Sequence, residues 1–103
     1  MTEPMRIKAQ SGAGQTSVRI LMNHVMESGQ RKDDSGKTVP AWHIQEVSAF
    51  WNGKVVMTAQ WGPGVSKNPY LQFFIKGGKA GDKIAVTWTD TKGESRSDEA
   101  VVS

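Results

Sequence analysis

The hydrophobic positions of this chain recur at every second residue. Met5, Ile7 and Ala9 alternate with Arg6, Lys8 and Gln10, and Val18, Ile20 and Met22 alternate with Arg19 and Leu21. A period of two sends successive side chains to opposite faces of an extended backbone, so each run reads as a strand with one buried face. Ile44, Val47, Ala49 and Phe50 mark a third strand, and the break in alternation near Glu46 and Val47 predicts a bulge. Asn52-Gly53 accepts the positive φ angles of a type I′ turn, which predicts a tight hairpin into a fourth strand with Val55, Met57, Ala59 and Trp61 on one face. Leu71, Phe73 and Ile75 form a fifth run, and Ile84, Val86 and Trp88 a sixth. Ser95 to Val102 is a weaker, polar run suited to a sheet edge. No longer stretch holds the apolar period of a helix. These signals predict an all-β chain: an immunoglobulin-like antiparallel β-sandwich of about seven strands. One domain is expected over residues 1–103, with no linker and no internal repeat. A small barrel is the competing architecture.

Two connections depart from simple turns. The polar stretch from Asn23 to Ala41 has neither apolar period, and loops of that length in a small domain are usually functional or disordered. It contains His24, Met26, Glu27 and Arg31, a first group of candidate contact residues. The second connection, Gly62 to Pro69, is flanked by Trp61 and Tyr70. Pro63 and Pro69 restrict its backbone and so lower the ordering cost of presenting Trp61, Lys67, Asn68 and Tyr70 to a partner. Alternation also places Tyr70, Gln72, Phe74 and Lys76 opposite the Leu71, Phe73 and Ile75 face, with Trp51 and Val56 off-phase in their own strands. Large aromatics on an outer sheet face suggest a partner surface, although covering the rim of the sandwich would explain them equally well. Trp61 shares the phase of the core residues and fits either role.

Composition removes several classes of chemistry. There is no cysteine, which excludes a disulfide framework, a thiolate nucleophile and thiolate metal sites on this chain, and leaves the redox compartment open. His24 and His43 lack a nucleophile-elbow context, and His24, Glu27, Asp33 and Asp34 match no zinc or calcium spacing. The glycine-rich segments at 11–15 and 76–81 precede no helix that could hold a phosphate. No catalytic residue, cofactor or metal ligand is expected. The start, MTEPMRIKAQ, lacks the apolar run of a secretory signal or membrane anchor. The net charge of +3 permits an acidic partner, but the basic residues are scattered along the sequence. A rival reading is a basic β-barrel module that binds single-stranded nucleic acid through Tyr70, Phe74 and nearby lysines.

The residues also carry a resemblance. The loop MNHVMESGQRKDDSGKTVPAWHIQEV, the hairpin FWNGKVVMTAQWGPGVSKNPYLQF and the segment FIKGGKAGDKIAVTWTDTKGESRSDEA together resemble SoxZ, the non-covalent subunit of the SoxYZ sulfur-oxidation carrier, across nearly the whole chain. One departure stands out: the family tends to read His-Pro-Met-Glu where this chain has His24-Val25-Met26-Glu27. The resemblance implies a heterodimer with SoxY, whose C-terminal arm bears the cysteine that carries thiosulfate-derived sulfur. It further implies transient contact with the cytochrome, hydrolase and dehydrogenase components of the pathway, in the periplasm, with export alongside a signal-bearing partner. It implies neither nucleic-acid nor membrane binding. In isolation, an uncovered aromatic patch allows a homodimer.

Overall fold

The protein is described by a computed structural model in which residues 2–103 are placed. Seven strands follow one another: β1 (Arg6–Gly12), β2 (Gln15–Leu21), β3 (Ile44–Trp51), β4 (Lys54–Gln60), β5 (Tyr70–Lys76), β6 (Lys83–Asp90) and β7 (Ser95–Val101). They form two antiparallel sheets, one of order β1-β2-β5 and one of order β4-β3-β6-β7. The sheets stack as a sandwich and do not close into a barrel, so the chain crosses between them after β2, after β4 and again after β5. This is the immunoglobulin-like arrangement that the alternation predicted.

Burial follows the period of two. Val18 and Ile20 from β2 and Met22 just beyond it are fully buried, as are Ile44, Val47 and Ala49 from β3 and Ile84 and Val86 from β6. Asn52 and Gly53 both have positive φ, 49° and 84°, as a type I′ turn requires. The anticipated bulge in β3 appears as a register shift against β6 between Ile44 and Glu46.

Two expectations need correction. Ala49 pairs with Met57 but Phe50 pairs with Val55, so Val56 is an extra residue in β4. That insertion reverses the phase: Val56 and Met57 both pack on the core, and Val55 turns outward with 53% of its surface exposed. Trp51 is likewise absent from the exposed aromatic group. It packs against the core, and its indole N–H donates to Asp82 Oδ2 at 2.9 Å.

The two sides of the sandwich differ. On one, the C-terminal residue pairs with β1, Ser11 N–H donating to Ser103 O at 3.0 Å and Ser103 N–H to Ala9 O at 2.9 Å. On the other, β4 and β5 are edges with no strand pairing between them. The molecule is elongated, 53 × 22 × 20 Å, with a radius of gyration of 15.5 Å. A compact chain of this length would have about 13 Å.

The turn between β5 and β6 shows why glycine is needed there. Gly78 has a φ of +89°, and a Cβ on it would run into Thr16 Oγ1, which is itself held by donating to Gly77 O at 2.8 Å. Gly78→Ala should therefore lower stability by about 2 kcal/mol or more, seen as an earlier urea midpoint. Gly12→Ala, where the new methyl meets nothing within 4 Å, should stay within about 0.5 kcal/mol of the parent. Equal midpoints for the two variants would refute this.

Candidate functional site

The long crossing between β2 and β3 is an ordered ribbon. Glu27 and Trp42 exchange backbone hydrogen bonds at 2.7 and 2.9 Å, and Val39 N–H reaches Arg31 O at 2.7 Å. At the tip, Asp33 Oδ1 accepts the amides of Ser35 and Lys37 and the Ser35 hydroxyl, which closes a side-chain turn. Residues 30–38 are all exposed, so the ribbon stands away from the body. Arg31 forks onto Glu27 along its stem, with Nη2 to Oε1 at 2.8 Å. The hydrogen bonds from Arg31 hold the Glu27 carboxyl below its ordinary value.

The base of the ribbon is fastened by one carboxylate. Asp90, at the end of β6, is 1% exposed, and its Oδ2 accepts from His24 Nε2 at 3.0 Å and from Trp42 Nε1 at 2.8 Å. Its Oδ1 accepts the amides of Lys92 and Glu94 at 3.0 and 2.9 Å, shaping the turn into β7. Burial opposes ionisation of this carboxyl, but the donors from His24, Trp42 and the two amides outweigh it and hold the group below the usual aspartate value. The proton of His24 follows from its other ring nitrogen. Nδ1 accepts the Met26 amide at 3.0 Å, so Nε2 bears the hydrogen and donates it to Asp90. The imidazole also stands edge-on to Trp42 and Trp88, with ring centroids 5.4 and 5.2 Å away. Lys92 lies 3.9 Å above the Trp42 ring on its outer side. Both nitrogens of His24 are thus engaged within the protein.

The crossing between β4 and β5 is pinned to the same base. His24 N–H donates to Asn68 Oδ1 at 3.1 Å, and Asn68 N–H returns the bond to His24 O at 3.0 Å. Asn68 has a positive φ of 51°, a conformation Asn tolerates better than most residues. Next to it, Pro69 O accepts the Met22 amide at 2.9 Å. These bonds fix a bowl of about 440 Å³ formed by Trp61, Val65, Ser66, Lys67, Asn68, Pro69 and Tyr70. A second cleft, of about 320 Å³, opens above His24, between the N-terminal segment and Lys67 and Asn68.

The residues expected to make contacts therefore separate by depth. His24, Met26 and Pro69 are buried and position what lies above them. Met26 Sδ accepts the Ile44 amide at 3.3 Å. Trp61 is half-buried: it packs on the core with one side and lines the bowl with the other. Glu27 is half-buried, while Arg31, Pro63, Lys67, Asn68, Tyr70 and Phe74 are exposed, the last two aromatics at 58% each. Sequence reasoning missed Asp90, Asp82 and Trp42. The available signal was the Asp-x-x-Gly pattern of Asp90 to Gly93, which marks a turn but gives no sign of the buried acceptor inside it.

Residues 5–101 match the family described as "Sulphur oxidation protein SoxZ". The chain belongs to the SoxZ family, and its role lies in sulfur oxidation. No curated protein matches it significantly.

The Asp90 knot contributes to the acid sensitivity of the fold. A carboxyl whose folded pKa lies below its unfolded value, near 3.8, contributes stability that is fully present above the unfolded pKa and is lost as pH falls through the folded one. Asp82, lowered by its bonds from Trp51, Asn52 and the Lys79 amide, acts in the same window. Asp90→Asn should cost about 2–3 kcal/mol at neutral pH by weakening charge-assisted bonds, and its stability should fall less between pH 5 and 2 than the parent's. Denaturant melts at several pH values measure both. A parallel acid dependence in the two proteins would show that Asp90 makes no contribution to it.

Proposed function

We propose that this chain is the non-covalent subunit of a SoxYZ sulfur carrier: it holds SoxY, whose cysteine bears the sulfur intermediates, and supplies recognition surface to the Sox enzymes. Family membership supports the pathway. The structural observation that carries the binding role is the contrast between interior and surface. The imidazole best placed for chemistry is consumed by Asp90 and the Met26 amide, whereas Tyr70, 58% exposed, lines an apolar-walled bowl and the equally exposed Phe74 lies further along the same strand. A carrier whose thiol must visit several enzymes needs a partner subunit that is rigid and chemically silent, and cysteine is absent here.

The bowl from Trp61 to Tyr70 is the surface we assign to SoxY. Its backbone is restrained by Pro63, Pro69 and the Asn68 bonds to His24, so little ordering entropy is lost on contact. Val65 and Trp61 supply apolar area at its centre, with Lys67 at the rim. The ribbon bearing Arg31 and Glu27 extends from the same base and broadens the recognition surface. The working location is the periplasm, reached by export together with SoxY.

Co-expression with the SoxY of the same organism, followed by size-exclusion chromatography with light scattering, should yield a stable one-to-one complex. Val65→Asp should weaken it at least tenfold by leaving an unpaired charge in the apolar centre of the contact. A chain that remains a monomer or homodimer in the presence of SoxY would contradict the proposal.

A further inference from the structure

The alternation of β1, β2 and β5 gathers one set of side chains when the strands lie side by side. The outer face of the three-stranded sheet carries Arg6 and Lys8 from β1, Arg19 from β2 and Lys76 from β5, all exposed. The other outward residues of these strands are Gln10, Gly12, Gln15, Ser17, Leu21, Tyr70, Gln72 and Phe74, so no acid shares the face. Among the described residues none of the four cations makes an ion pair. Of the chain's 13 basic residues, removing these four leaves nine against ten acidic ones. The net positive charge of the protein therefore resides on this one face.

The arrangement is unfavourable in isolation. Lys8 lies directly opposite Arg19 in the β1–β2 register, and like charges facing each other across a strand pair destabilise a sheet. On the adjoining pair, Leu21 faces Tyr70 and Ser17 faces Phe74, which places three exposed apolar side chains beside the cations. The outer face of the other sheet is built differently. Lys83 is balanced by Glu99 at 3.7 Å, and Thr87 and Ser97 hydrogen-bond to each other at 2.7 Å.

We propose that the outer face of the three-stranded sheet is a docking surface for an acidic protein that engages this subunit transiently. The inference rests on the reading of the chain as a carrier subunit and adds to it a second surface, adjacent to the bowl at Tyr70. Permanent interfaces bury apolar area and exclude charge from their centre, whereas a face of unpaired cations around a small aromatic patch steers encounter and releases its partner readily. An acidic partner also relieves the Lys8–Arg19 repulsion, so binding gains more than pairwise attraction alone.

The test uses the purified complex with SoxY, immobilised, and as probes the cytochrome, hydrolase and dehydrogenase components of the same organism, one at a time. At least one should bind, with affinity that falls as salt rises. Lys8→Glu with Arg19→Glu should weaken that binding tenfold or more while the one-to-one complex with SoxY still forms. Lys54→Glu with Lys83→Glu, the same charge change at exposed positions on the other sheet, should leave it within about twofold. Phe74→Ser should mainly raise the dissociation rate. Several results would overturn the proposal: no component binding the parent complex, both double variants losing affinity equally, or a folded Lys8→Glu/Arg19→Glu variant that no longer holds SoxY. Binding of an oligothymidylate through these residues, with no component bound, would assign the face to single-stranded nucleic acid instead. Failure to pair with SoxY at all reads out the carrier-subunit role separately.

Discussion

A single buried carboxylate sets how the two long crossings of this sandwich are held. Asp90 accepts four hydrogen bonds, two from aromatic side chains on the β2–β3 crossing and two from the turn that follows it. Because Nδ1 of His24 takes the Met26 amide and the His24 backbone pairs with Asn68, the same knot reaches the β4–β5 crossing. A buried charge that lacked these donors would be costly; with them it fixes the relative positions of segments far apart in sequence. A similar device stands at the other end of β6, where Asp82 accepts the Trp51 indole and the Lys79 amide. Strand β6 is thus bracketed by two aspartates, each holding a tryptophan and a turn.

Much of the fold could be read from alternation, because a strand with one face in a dry core has little choice of pattern. The Asn52-Gly53 hairpin, the exposed Tyr70 and Phe74 and the polar edge strand β7 all follow from local signals. The phase of β4 did not, since nothing in VVM marks Val56 as the inserted residue. The knots were hidden for a different reason. Asp82 and Asp90 sit in glycine-containing turns where an acid ordinarily faces water, and their tryptophan partners are 31 and 48 residues away. The residues Arg6, Lys8, Arg19 and Lys76 look scattered along the chain, and only the strand order β1-β2-β5 gathers them.

The result is a division between a buried network in which His24 and Trp42 both bond Asp90 and a differentiated exterior. The bowl between Trp61 and Tyr70 combines restrained backbone with apolar walls, the qualities of a lasting contact. The cationic sheet face beside it has unpaired charge and exposed aromatics, the qualities of a brief one. This pairing of surfaces is the basis of the role proposed for this member of the SoxZ family: one lasting partner, with others met in turn.

The most direct test of the buried network is the position of one hydrogen. Long-range proton–nitrogen correlation NMR on the nitrogen-15-labelled protein distinguishes the two ring nitrogens of His24. The expected spectrum has the proton on Nε2, bonded to Asp90, and a bare Nδ1 accepting the Met26 amide. A proton on Nδ1, or a ring averaging between the two tautomers, would contradict the Asp90 knot and reopen His24 to a chemical role.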